Sequence, residues 1–448
     1  MAPRPLRPAA PLLALIAAVA IPLVVLGAPA QIDTAATATQ RAERWIQEAT
    51  DVVSVYNTGE LSTSTIDRAL AAAAQSGGTA AITRSAGIGM TRVARGSQTV
   101  QRAPSGFAFP MGVTALPHEF VARVMSAELS GRLTSTHIVM NRTSADLRGA
   151  RAGDVVTLTA ANGAAVNFTV AEVLEHDEIR GAELLMAPEA ADRLALSRRS
   201  SVVVWGFRSR SAIDSALRAN SLTSTSIRLR RTWDAFDPDL TLGMVETKAA
   251  LGEFAYRVNS DGTVSVDDAW RTANITSGSI HGLRLQTGCH RVTRRALQAA
   301  MDEVVASGLA GTINYDDANR AGGCYYPRFN RLTPDSRIGF LSRHGWGQAV
   351  DTNTQGSCQG CIPDFSRTAA GCRTVQVFRK HGFAWGGNYL RPDGMHFEWV
   401  GERRDRYPYP SRFCPNDTSG LGDSALDTDP DGAANIFEHD GLAEGHGH

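Results

Sequence analysis

The sequence predicts an α+β protein with two folded regions in series. Three observations lead there. The chain has 448 residues, enough for two or three domains at roughly 100–200 residues each. Hairpin signals and helix-like apolar spacing are interleaved along it, and neither pattern runs on alone. The six cysteines, Cys289, Cys324, Cys358, Cys361, Cys372 and Cys414, all fall in the C-terminal part, which sets that part off as a region with its own framework.

Composition narrows the class. Hydrophobic residues make up 43% and charged residues 20%, so most of the chain can bury a core and a wholly disordered protein is excluded. Lys plus Arg and Asp plus Glu number 45 each, which removes the basic footprint of a nucleic-acid binder.

Residues 1–30 begin with Arg4 and Arg7, run through an apolar stretch from Ala9 to Ala28, and reach Ala28-Pro29-Ala30. This reads either as a signal peptide or as a retained N-terminal membrane anchor, since the run is close to the ~20 residues that span a bilayer. Both readings put the remainder outside the cytoplasm. Residues 31–79 read as a helical, low-complexity linker, with a short Ser- or Thr-capped helix in "LSTSTIDRALAAAAQSGG".

Residues 80–245 read as one α+β domain of unknown function. Asn162-Gly163 sits between two alternating runs, the strongest short hairpin signal available. "SVVVWGF" and "STSIRLRRTW" add strands, and "PEAADRLAL" and "SAIDSALRA" add short helices. His118-Glu119 lacks the second histidine of a zinc helix, because position 122 is Ala. His118, His137 and His176 are therefore taken as ordinary histidines.

A second domain spans 246–415. It has a turn at Asp261-Gly262 and a helix in "RRALQAAMDEVVASGL" that stops at Gly308. From Asn416 to His448 there are eight acidic residues and no Lys or Arg, the composition of a solvated, disordered tail. "DTDPDG" within it lacks the downstream Glu of a calcium loop.

The chemistry concentrates in "LSRHGWGQAVD" (341–351) and "WGGNYLRPDGMHFEW" (385–399). His344, Asp351 and His396 form a two-His, one-carboxylate set. Three such ligands leave one tetrahedral position of Zn²⁺ open, as in a catalytic rather than a structural site. Asp393, three residues before His396, is a carboxylate placed to take a proton from an attacking water. Arg328, in "GGCYYPRFNR", offers a fixed positive charge for a substrate carboxylate or a developing oxyanion.

Singly these signals are weak, but their joint spacing is specific. Ser342, His344, Gly347, Ala349 and Asp351 complete the pattern S-x-H-x-x-G-x-A-x-D, and D-x-x-H followed by Phe-Glu-Trp closes the second segment. At these residues the chain resembles the zinc peptidases of bacterial cell-wall peptides, over about 246–415. That family comprises D-alanyl-D-alanine carboxypeptidases, vancomycin-resistance D,D-peptidases and phage-endolysin L-alanyl-D-glutamate peptidases. The resemblance implies a small α+β fold with a central antiparallel sheet. It also implies zinc on His344, Asp351 and His396, Asp393 as general base, and Arg328 polarising the substrate. The substrate would be a peptidoglycan stem peptide, met outside the cytoplasm. Asp at the base position, where D,D-peptidases carry Glu, favours L-alanyl-D-glutamate-type endopeptidase activity. Two alternatives stay open: D-alanyl-D-alanine carboxypeptidase activity, and a non-catalytic wall-binding module of the same fold.

The neighbours are read more plainly. Ser342 and Gly347 suit structural roles. Trp346, Trp385 and Trp399 suit the core or cleft wall, and His290 and His381 fall outside the spaced motif. Glu398 is either a partner of a metal ligand or a strand-surface residue. The cysteines are expected to form disulfides rather than a zinc knot, because an exported chain meets an oxidising compartment. Cys289–Cys324 is the first pairing expected, since it would tie the helix-bearing segment to the Arg328 loop. The insert "TQGSCQGCIPDFSRTAAGC" after Asp351 is expected near the site mouth.

Overall fold

A computed structural model of the chain describes residues 51–315, 323–330, 339–354 and 359–419. The expectations for the leader, for the linker up to residue 50 and for the acidic tail beyond 419, with its "DTDPDG", lie outside the described residues. No helix among those described is long and apolar enough to cross a membrane.

The linker expected over 31–79 gives way to folded structure by residue 52. Strand β1 (Val52–Tyr56) is buried along its whole length, and α1 (Thr63–Ser76) follows it. The helix starts because the Ser62 side chain accepts the Thr65 N–H at 3.1 Å, and it stops at Gly77, whose φ of 79° suits a residue without Cβ. Its Ile66, Ala69, Ala72 and Ala73 pack with Val53 and Val55 of β1, so a run that looks low in complexity is one apolar helix face.

Nine more strands complete this region: β2 (Thr79–Arg95), β3 (Gln98–Arg102), β4 (Phe109–Ala115), β5 (His137–Asn141), β6 (Val155–Thr159), β7 (Ala165–Leu174), β8 (Leu184–Met186), β9 (Ser201–Trp205) and β10 (Arg228–Arg231). The hairpin expected at Asn162-Gly163 joins β6 and β7, with Gly163 at φ 84°. Strand β2, 17 residues long, belongs to two layers. Its first residues pair with β9 in the order β10-β1-β9-β2, under α1 and α2 (Arg210–Ala219). Its later residues pair with both β4 and β6, closing the circuit β2-β4-β8-β5-β7-β6 into a barrel. The region therefore holds two cores rather than the single one the sequence suggests. One lies inside the barrel around Ile88, Met111, Met140 and Phe168, and the other lies under α1 and α2.

The C-terminal region begins with α3 (Met244–Leu251) and the hairpin β11 (Tyr256–Val258) and β12 (Val264–Val266). The hairpin β13 (Ile275–Ile280) and β14 (Leu283–His290) leads into α4 (Arg291–Ala306), which ends before Gly308 as expected. A three-stranded antiparallel sheet in the order β15 (Ala349–Asp351), β17 (His396–Trp399), β16 (Phe383–Trp385) forms its centre. Its apolar face packs Val350, Phe397 and Trp385 against α4 and α5 (Ala369–Lys380). The fold class is α+β, with the antiparallel sheet in place.

The two regions are stitched together by polar groups. Ala108 and Tyr256 exchange two backbone hydrogen bonds of 2.8 Å. Lys248 on α3 is fully buried, 2.6 Å from Glu183 and 2.8 Å from Glu253, and Glu253 also meets the buried Arg148. A Cβ at Gly87 of β2 would lie 2.6 Å from the Gly339 carbonyl, so the barrel wall touches the loop entering the motif segment.

Candidate metal centre and catalytic site

The motif residues are placed by very short elements. Ser342 caps a single turn at Arg343–Trp346, its hydroxyl accepting the His344 N–H at 3.3 Å. Gly347 ends that turn at φ 63°, and a Cβ there would sit 2.6 Å from the His290 nitrogen. Only glycine fits, which is the structural role expected of it. The chain then enters β15, whose last residue, Asp351, lies directly opposite His396 on β17.

These placements bring the three predicted ligands together. His344, Asp351 and His396 each offer a ligand atom, all within 4.8 Å of one another, and all three residues are buried. His344 Nδ1 donates to the Cys324 carbonyl at 2.9 Å, and a carbonyl can only accept. Its Nε2 is thereby the atom that could face a metal, 3.3 Å from Asp351 Oδ2. His396 turns Nδ1 toward Asp351 Oδ1 at 3.0 Å and Nε2 toward Glu398 Oε2 at 3.6 Å. Two imidazoles and one carboxylate, converging and shielded from water, form a donor set that suits a divalent transition metal.

The two histidines differ electrostatically. Burial lowers the pKa of His344, against the pull of Asp351, and the charge of Arg328 adds to the depression. Burial also opposes charge on His396, but Asp351 and Glu398 outweigh it and raise the pKa to about 10, with Asp393 contributing.

Asp393 is fully buried in a tight turn before β17. Its N–H donates to Gly386 O at 2.8 Å and its carbonyl accepts from His396 N at 3.2 Å. A Cβ on Gly386 would lie 2.7 Å from the Asp393 carbonyl, so glycine lets the turn close against the ligand strand. Arg328 is half-buried, and its carbonyl accepts the Ser342 N–H at 2.9 Å, which holds its loop beside the first ligand. All five predicted site residues therefore lie in one place. The insert is there too: Gly360 N–H donates to Pro392 O at 2.7 Å, and Pro363 packs on Gly394, bracketing Asp393.

The residues set aside stay apart from the cluster. His290 caps α4, with burial lowering its pKa to about 4, and His381 pairs with Glu303 at 2.8 Å. Trp346 and Trp385 are buried core residues, and the Trp385 indole donates to Gly394 O at 3.0 Å, bracing the base turn. Cys289–Cys324 and Cys372–Cys414 are disulfides, and Cys361 is disulfide-bonded as well; Cys358 lies outside the described residues. Glu398 faces the His396 ring. Alternation along β17 puts His396 and Glu398 on one side and would reveal the pairing once the strand is known. Arg343, which reaches Glu398, gave no signal in the sequence.

Residues 336–399 match a protein-family model described as D-alanyl-D-alanine carboxypeptidase. The match covers both ligand segments and the base turn. No curated protein is similar enough to the chain to match it. Over that stretch the C-terminal region is similar to that family, and the resemblance read from the motifs holds there.

Proposed function

We propose that the protein is a zinc-dependent peptidase acting outside the cytoplasm on the stem peptides of peptidoglycan. The convergence of His344, Asp351 and His396 beside the buried carboxylate of Asp393 carries this reading. A zinc ion there would supply Lewis acidity, polarising the scissile carbonyl and making water a better nucleophile at neutral pH. The protein's own groups do the rest. Asp393 accepts the proton of the attacking water and hands it to the leaving amine. Arg328, whose charge already reaches His344, stabilises the oxyanion of the tetrahedral intermediate or grips a substrate carboxylate. Burial of the ligand set keeps bulk water from weakening these charge interactions.

An aspartate in the base role favours an internal cut of the L-alanyl-D-glutamate type over removal of a terminal D-alanine. Incubating the zinc-loaded protein with defined muropeptides and weighing the products tests both levels. An internal cut supports the endopeptidase reading, and free D-alanine replaces it with carboxypeptidase activity. Bound zinc with no new amine terminus on any stem peptide would leave a wall-binding module instead.

A further inference from the structure

We infer that Glu398 and Arg343 are positioning residues that tie the metal-facing ring of His396 to the segment arriving from the N-terminal region. The inference rests on the reading of the His344, Asp351 and His396 cluster as a metal centre. Three contacts in series carry it. Glu398 Oε2 faces His396 Nε2 at 3.6 Å, Arg343 Nε faces Glu398 Oε1 at 3.4 Å, and Arg343 Nη2 donates to the Leu242 carbonyl at 2.6 Å. The Glu398 side chain is fully buried and that of Arg343 is 7% exposed.

A buried carboxylate is expensive unless paired, so Glu398 is held where Arg343 and the Gln348 amide at 3.5 Å direct it. A carboxylate set against the outer nitrogen of an imidazole fixes its ring orientation and tautomer, presenting the inner nitrogen to the ion. Arg343 can serve this purpose only because it is anchored at its far edge. That anchor, Leu242, belongs to a segment that is itself locked into the catalytic region. Asp239 accepts from Arg379 Nε at 2.8 Å, the Trp385 N–H at 3.1 Å and Asn388 Nδ2 at 2.7 Å. Trp385 and Asn388 flank Gly386, the residue that receives the Asp393 N–H. The connection between the regions is therefore part of the catalytic framework, which starts before the boundary at 246 that the sequence suggests.

The test uses the full chain and zinc alone, with affinity measured by chelator competition on wild type, Glu398→Gln, Arg343→Met and the double variant. Glu398→Gln keeps the side-chain shape and should weaken zinc binding roughly 10–100-fold. Because Arg343 acts through Glu398, Arg343→Met should weaken binding in the wild-type background and add nothing to Glu398→Gln. The double variant also removes both buried charges, so it should fold even if Arg343→Met alone does not. Unchanged affinity in Glu398→Gln, or an equal further loss from Arg343→Met in both backgrounds, overturns the relay while leaving the metal centre intact. A wild-type chain that takes up no zinc overturns the metal centre itself.

Discussion

The barrel region and the catalytic region solve opposite problems. The barrel buries aliphatic side chains inside a closed ladder, where one long strand serves two layers and the cysteine count is zero. The catalytic region buries His344, Asp351, Asp393, His396 and Glu398 at its centre, on short turns and on strands of three or four residues. Ladders so short offer few hydrogen bonds, and buried ionisable groups cost free energy unless each is paired. Disulfides and buried arginines do there what strand length does in the barrel. The proposed hydrolysis needs polar groups out of water, and the scaffold around them is stiffened to hold them.

That contrast can be broken or sharpened in four ways. The largest effect should come from Asp393→Ala, which removes the proposed base without touching a ligand. Turnover of a stem-peptide substrate should fall about 10²–10⁴-fold with zinc content unchanged. Unchanged turnover in steady-state assays would remove Asp393 from the mechanism.

Next is Lys248→Met, which strands the buried carboxylates of Glu183 and Glu253 at the junction. A loss of about 3–5 kcal/mol is expected, read by urea denaturation. Barrel and catalytic signals should melt together, whereas two separate transitions would show the regions to be independent.

Replacing Cys289 and Cys324 by Ala should cost about 2–4 kcal/mol. Because the Cys324 carbonyl receives His344 Nδ1–H, it should also weaken zinc binding. Wild-type zinc affinity in this variant would mean that the bridge plays no part in orienting His344.

The smallest effect is on pH dependence. Burial raises the pKa of Glu183, but Lys248 and Arg148 more than reverse this, leaving it below its ordinary value. Its stabilisation is therefore complete above the unfolded value of about 4.3 and is lost as pH falls through the lower folded value. In Glu183→Gln the acid branch of the stability curve should flatten, and an unaltered branch would locate the acid sensitivity elsewhere.

Much of the site was legible before any coordinates. The donor types and spacing of His344, Asp351 and His396, the carboxylate of Asp393 and the loop charge of Arg328 are residue identities, and the proposed chemistry asks for those side chains. The hairpin at Asn162-Gly163 and the stop at Gly308 were legible for the same reason, since local backbone geometry demands particular side chains. The barrel was not, because its closure depends on β2 pairing with β6, some sixty residues away, and periodicity carries no record of which strands meet. Residues 52–76 looked like linker because a helix face of alanines is low in complexity even when it packs a core. Arg343 shows the limit most clearly: it is one more arginine in a chain full of them until folding sets it between Glu398 and Leu242. Sequence alone determined which groups could serve the proposed chemistry, because reactivity belongs to the side chain. Tertiary structure decided which groups hold them still, because a buried charge acquires its role from the partner that folding brings to it.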